Sequence, residues 1–286
     1  MARRILLAVP LLIWATAHAE VAEGTIVPPV QGAYLGARLQ ATANPWNAGV
    51  GADFGWREVM YQAENPALSY NYIGLEFLTQ DIPQKLDFGV RVIFQPASFM
   101  QASLAYDRIG YPFGLFSTTE EPSRSEDDIW DVTNGIQSSW ADEFTLNISL
   151  QKEIGNIQGR IQGRWSRLDI DNKRDHLYEP SEDIVLGSRD DIVGLDVSAG
   201  YISQLPFLSA VGPAATYLRT IDHNIERTRA GMWIQAWPFS RRQGDVIPFW
   251  TVKSRLDLWT EHPSRQWQPR LELTIGWERN IFQSNQ

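Results

Sequence analysis

The sequence predicts an all-β chain, a single antiparallel up-and-down transmembrane β-barrel of about 12 strands with long external loops. Three observations predict it. Segments of about ten residues alternate apolar and polar side chains with period two. No stretch after residue 20 is apolar enough for a helical span, which leaves a closed barrel as the way to pair every backbone polar group inside a bilayer. The chain also begins with an export leader.

In the leader, Arg3 and Arg4 precede an apolar run from Ile5 to Trp14, and Ala17-His18-Ala19 supplies the small residues a signal peptidase requires. Cleavage after Ala19 is expected, with residues 1–19 as signal peptide and 20–286 as one barrel domain. Losing two arginines makes the mature chain more acidic than the −9 of the full sequence, which disfavours a nucleic-acid partner. The absence of cysteine excludes thiol catalysis, thiolate metal sites and disulfides.

Alternation is clearest in five segments. In the first, Ala33, Leu35, Ala37, Leu39 and Ala41 share one face, and Tyr34, Arg38, Gln40 and Thr42 the other. The pattern returns around Leu86–Phe94, Phe144–Leu150, Val252–Leu258 and Leu271–Trp277, with charge repeatedly on a single face. Candidate strands run over 32–43, 50–60, 68–79, 86–96, 99–108, 140–151, 157–168, 191–203, 209–221, 228–238, 248–259 and 268–279. An even count places both termini at one rim. The connectors at 95–98, 152–156 and 204–207 suit short periplasmic turns, and 109–139 and 169–190 suit long external loops; the one around Ser240–Val246 fits that scheme less well.

Alternation does not say which face meets lipid, because a soluble lipocalin-like barrel or a β-sandwich has the same period with the opposite orientation. Tryptophan placement favours the membrane. On these strands Trp46, Trp140, Trp165, Trp259 and Trp267 fall at external ends, and Trp56, Trp237, Trp250 and Trp277 at periplasmic ends, as two interfacial belts would. Trp233, mid-strand, and Trp130, in a loop, break the rule.

With those strands and belts, residues 30–282 resemble bacterial outer-membrane β-barrels, the twelve-stranded members in strand count. Such barrels usually end on an aromatic residue; here the nearest match is Trp277 to Phe282, followed by four polar residues. The resemblance implies a place in the outer membrane among its lipid and lipopolysaccharide. It implies no one activity, since the class spans channels, enzymes, adhesins and assembly proteins.

The polar face contains Arg38, Arg91, Arg160, Arg164, Arg219, Arg229, Lys253, Arg255 and Arg270 with Asp53, Glu76, Asp87, Asp196, Asp257, Glu272 and Glu278. Arg91, Arg160, Arg164, Arg219, Arg229, Lys253 and Arg255 are the candidate solute path. The expectation is a non-enzymatic narrow channel or export conduit for small solutes or glycans, anionic ones given these cations. The alternative is a closed barrel in which the same charges pair and stiffen the interior, serving as scaffold, adhesin or assembly component.

The long loops are acidic, which suits solvated surfaces. Asp169–Asp175 starts like an EF-hand loop, then puts Lys173 and Arg174 where an oxygen ligand and the turn glycine belong. A weaker alternative is a lipid hydrolase, because outer-membrane phospholipases and lipid A deacylases share a His-x-Ser arrangement, matched here only by His262-Pro263-Ser264. Pro263 would break the aligning strand, and Arg265 stands where those enzymes have Asn. His176 and His223 are isolated, and neither a metal nor another cofactor is expected.

Overall fold

A computed structural model describes residues 31–43, 47–63, 65, 68, 71–82, 85–112, 116–117, 138–171, 177–179, 184–203, 208–236, 249–261 and 266–280. The leader and the His262-Pro263-Ser264 segment lie outside these residues, as do Trp46, Trp130, Trp237 and most of the two acidic loops.

Twelve strands close into one barrel: β1 (Gly32–Ala43), β2 (Asn47–Glu58), β3 (Tyr72–Ile82), β4 (Lys85–Ala97), β5 (Met100–Tyr111), β7 (Ser139–Ile154), β8 (Ile157–Ile170), β11 (Arg189–Ile202), β12 (Leu208–Thr220), β13 (Glu226–Ala236), β14 (Phe249–Glu261) and β15 (Pro269–Asn280). Each pairs antiparallel with its chain neighbours in the barrel, and β1 pairs with β15 to close the ring. All twelve segments expected from periodicity are strands. Three short strands, β6 (Phe116–Ser117), β9 (Leu177–Glu179) and β10 (Ile184–Leu186), form a separate sheet from parts of the two long loops, which the sequence reads as irregular.

Both chain ends of the barrel lie at one rim, the terminal rim. Connectors 112–138 and 171–188 rise from the other, the loop rim. Length sorts the rims only for these two, because 59–71 and 237–248 at the terminal rim exceed 44–46 and 83–84 at the loop rim. At the terminal rim, residues 155–156 turn β7 into β8 in two residues, and Gly155 takes the positive φ of 61° that such a turn demands.

The structure decides the orientation that alternation leaves open. Leu39, Phe77, Phe88, Met232 and Leu256 are each more than half exposed on the outer wall, while Arg38, Glu76, Asp87 and Asp257 face the lumen. A soluble barrel would bury those apolar side chains; this one wraps them around its circumference, far beyond the apolar patch a water-soluble monomer tolerates. The barrel is transmembrane, with lipid as the solvent of its outer wall.

The inner wall is rich in glycine because long lumen side chains lie flat across the neighbouring strand. A Cβ on Gly55 would sit 2.4 Å from the Tyr34 ring, and one on Gly36 2.4 Å from the Asp53 carboxylate. Pro213, opposite Ala199 on β11, cannot donate to the ladder, and the pairing between these strands skips Ala199 and Gly200 without a change of register. The indole N–H of Trp233, on β13, instead donates to the Ala199 carbonyl at 3.1 Å. Trp233 is thus a lumen residue held mid-strand by a backbone defect, which is why it stands outside both belts.

Trp56, Trp140, Trp165, Trp250 and Trp277 lie on the outer wall, with Trp250 paired across strands to Trp277 and Trp165 edge-on to Phe144. Trp259 does not join them. It is only 4% exposed on the inner face, with the guanidinium groups of Arg227, Arg229 and Arg270 at 5.5, 5.9 and 6.0 Å from its ring. Strand position places an aromatic near a rim; parity decides lipid or lumen.

Candidate functional site

The lumen holds a central cavity of about 410 Å³ to which all twelve barrel strands contribute. Its basic side chains are Arg38 from β1, Arg57 from β2, Arg91 from β4, Arg160 from β8, Arg229 from β13, and Lys253 and Arg255 from β14. Its acidic ones are Glu76, Asp196 and Glu272. Each carboxylate is ion-paired, Glu76 to Arg91 at 3.5 Å, Asp196 to Arg255 at 3.6 Å and Glu272 to Arg229 at 3.5 Å. Seven basic and three acidic side chains line the cavity, and Asp257 and Glu278, outside its lining, pair with Arg229, Arg255 and Arg57. Gln40, Gln101, Ser103, Asn147, Ser149 and Gln162 add neutral donors and acceptors, and Tyr72 and Trp233 add aromatic rings.

Several polar groups bridge non-adjacent strands. Arg255 reaches from β14 to Asp196 on β11 and also meets Asp257 at 2.7 Å. Arg229 on β13 meets Asp257 at 3.5 Å and reaches Glu272 on β15. These bridges pre-set guanidinium positions, so an anion would meet groups already oriented.

At the terminal rim the cavity has a polar floor. Arg57 lies 3.9 Å from the centroid of the Tyr34 ring and 5.7 Å from that of Tyr72, and pairs with Glu278 at 3.3 Å. The Tyr34 hydroxyl donates to Glu76. Tyr34 and Glu76 are 1% exposed.

On one arc of the loop rim the inner face is apolar. Ile109 and Tyr111 of β5, Ala141 of β7, Leu168 and Ile170 of β8 and Ile192 of β11 are at most 3% exposed and form one cluster, with Leu218 of β12 packed against it. On the same stretch the outer wall turns charged, with Arg108, Asp142, Arg167, Asp169, Arg189, Asp191 and Arg219. On this arc, from β5 to β12, the outer wall changes from apolar to charged and most of the inner face from polar to apolar, whereas Arg227, Trp259 and Arg270 keep the inner face polar on β13 to β15.

That inversion sorts the expected path residues. Arg91, Arg160, Arg229, Lys253 and Arg255 line the cavity. Arg164 shares the inner face but is held by Glu143 at 2.8 Å on β7 and does not line it. Arg219 is a correction: it lies on the outer wall, 40% exposed, paired with Glu226 at 3.3 Å. Its parity is legible in the sequence, but charge alone does not mark the lumen, because on this arc of the loop rim charged side chains also cover the outer wall. Arg57 shares the parity of Asp53, and only its strand-end position hides it in the sequence.

His223 is not isolated. Its Nδ1 lies 2.8 Å from the buried Asp190 carboxylate, which also accepts from the Asp222 amide at 3.1 Å, pinning the turn between β12 and β13. Among the described residues no group of His, Asp and Glu could hold a metal.

No family model matches this sequence, and no curated protein matches it. Similar solved structures exist. The β domain of the Bordetella autotransporter Brka is 12% identical over 88% of this chain and 99% of its own, with a TM-score of 0.48. An outer-membrane channel from Pseudomonas putida F1 is 12% identical over 91% and 99%, at 0.42. The NanC porin is 11% identical over 86% and 100%, at 0.40.

Proposed function

We propose that this protein is an outer-membrane β-barrel whose lumen forms a narrow, anion-preferring pathway for small solutes such as acidic sugars. In this orientation the terminal rim is periplasmic and the loop rim external. The observation that carries the reading is the set of seven basic side chains that line the central cavity, contributed by six strands around the ring. Its volume of about 410 Å³ suits a small solute and not a folded polypeptide.

The test is planar-bilayer recording across a salt gradient, with folding verified beforehand by the mobility shift on heating. The expected outcome is small conductance with a reversal potential of the sign for anion preference. Replacing both Arg160 and Lys253 with Gln should move that potential toward zero. A folded barrel that passes no current, or one that prefers cations, overturns the proposal.

The closed-barrel reading keeps one specific observation in its favour, the apolar cluster at the loop rim. Complete absence of current from the folded protein would select it.

A further inference from the structure

Among the described side chains, the charged outer wall at the loop rim lies on one arc. On β5, β7, β8, β11, β12 and β13 the outward side chains change from apolar to charged at the loop rim, and the charges meet across strands. Arg108 pairs with Asp142 at 2.5 Å, Arg167 with Asp191 at 3.9 Å, Arg189 with Asp169 at 3.8 Å, and Arg219 with Glu226 at 3.3 Å. On the remaining arc the described outward side chains stay apolar almost to the strand tips, with Ala41, Ala48, Val50, Leu86, Leu258 and Leu271, apart from Thr79 of β3. A mere solvated fringe would run around the whole rim.

Aromatic side chains mark the height of the charged arc. Trp140 is 45% exposed and stacks on Arg108 at 5.4 Å, and the Tyr106 hydroxyl donates to Asp142 at 2.5 Å. Rings with one apolar side and one polar contact prefer the membrane–water interface, so these ion pairs stand in the headgroup layer. The four guanidinium groups are 40–62% exposed. Exposed pairs of this kind are worth little, and a planar guanidinium binds phosphate in a bidentate fork, so phosphate can replace or join the carboxylates.

We propose that this arc is a docking surface for the phosphorylated sugar headgroup of lipopolysaccharide, with the four arginines on phosphate and Trp140 against a sugar ring. The proposal rests on the outer-membrane placement above and not on the pore.

The test measures binding of purified lipopolysaccharide to the full-length folded barrel in detergent, beside the same lipid after phosphatase treatment and beside phosphatidylglycerol. Tighter binding of the phosphorylated glycolipid than of either comparison, by about tenfold, is expected. Replacing Arg108, Arg167, Arg189 and Arg219 with Gln should abolish the difference, and Arg189→Gln alone should reduce it should the fourfold variant fail to fold. Equal binding of native and dephosphorylated lipid overturns the proposal. Equal binding of phosphatidylglycerol, or variants that bind as the parent does, overturns it too. A barrel that binds yet passes no current removes only the pore; one that folds and stays soluble without detergent removes the membrane placement itself.

Discussion

The two ends of the lumen differ in chemistry. The terminal rim uses charge and aromatic rings, Arg57 against Tyr34 and Tyr72 with Glu76 and Glu278 alongside. The loop rim uses Ile109, Leu168, Ile170 and Ile192. A polar network buried in a lumen must have partners for its groups, because an unpartnered charge is costly, whereas an apolar cluster gains from burial in any packed arrangement. The floor is therefore specific and brittle, and the apolar cluster is stabilising and tolerant. The contrast also shows that lumen polarity depends on both height and arc: Ile109, Leu168 and Ile192 replace polar side chains on one arc of the loop rim, while Arg227 and Arg270 stay on the inner face of another.

The largest expected effect comes from breaking the floor. Arg57→Ala strands Glu278 and removes the cation between two tyrosines, and should cost about 3–5 kcal/mol of folded stability in a urea titration into liposomes. Whatever folds should show raised conductance. A neutral outcome on both measurements would mean the floor neither holds nor closes anything.

Ile109→Ala at the other end removes apolar volume from a side chain with 0% exposure and should cost about 2–4 kcal/mol by the same titration, with anion preference unchanged. Ile109→Leu, which conserves volume, should cost less than about 1.5 kcal/mol, and an equal loss in both variants would show that this end is as exacting as the floor.

The smallest effect is expected at Arg219. Arg219→Gln on the outer wall should alter stability by less than about 1 kcal/mol and leave the reversal potential where it is, because its pair with Glu226 is exposed. Arg229→Gln, facing Asp257 and Glu272 inside, should shift the potential. A shift from Arg219→Gln of comparable size would return that residue to the lumen.

Legibility differed by element. The strand expected over 157–168 runs from Ile157 to Ile170, and the parity of Arg160 and Arg164 puts both on the inner face. The same strand carries Arg167 and Asp169 outward and Leu168 and Ile170 inward beyond the inversion, a reversal that alternation cannot express. Trp259 shows the same limit, since its rim position was readable and its contacts with three arginines across adjoining strands were not. Arg164 was placed on the right face, but its capture by Glu143 depends on the register between β7 and β8.

By itself, the sequence determined the number of barrel strands, their approximate limits and which residues share a face, because the pleat imposes period two locally whatever surrounds it. Only the tertiary structure decided that the apolar face points outward, that this assignment reverses on one arc of the loop rim, and that Arg57, Tyr34 and Tyr72 meet. Those outcomes depend on closing the ring, which brings distant strands across one lumen and sets the height at which lipid gives way to water.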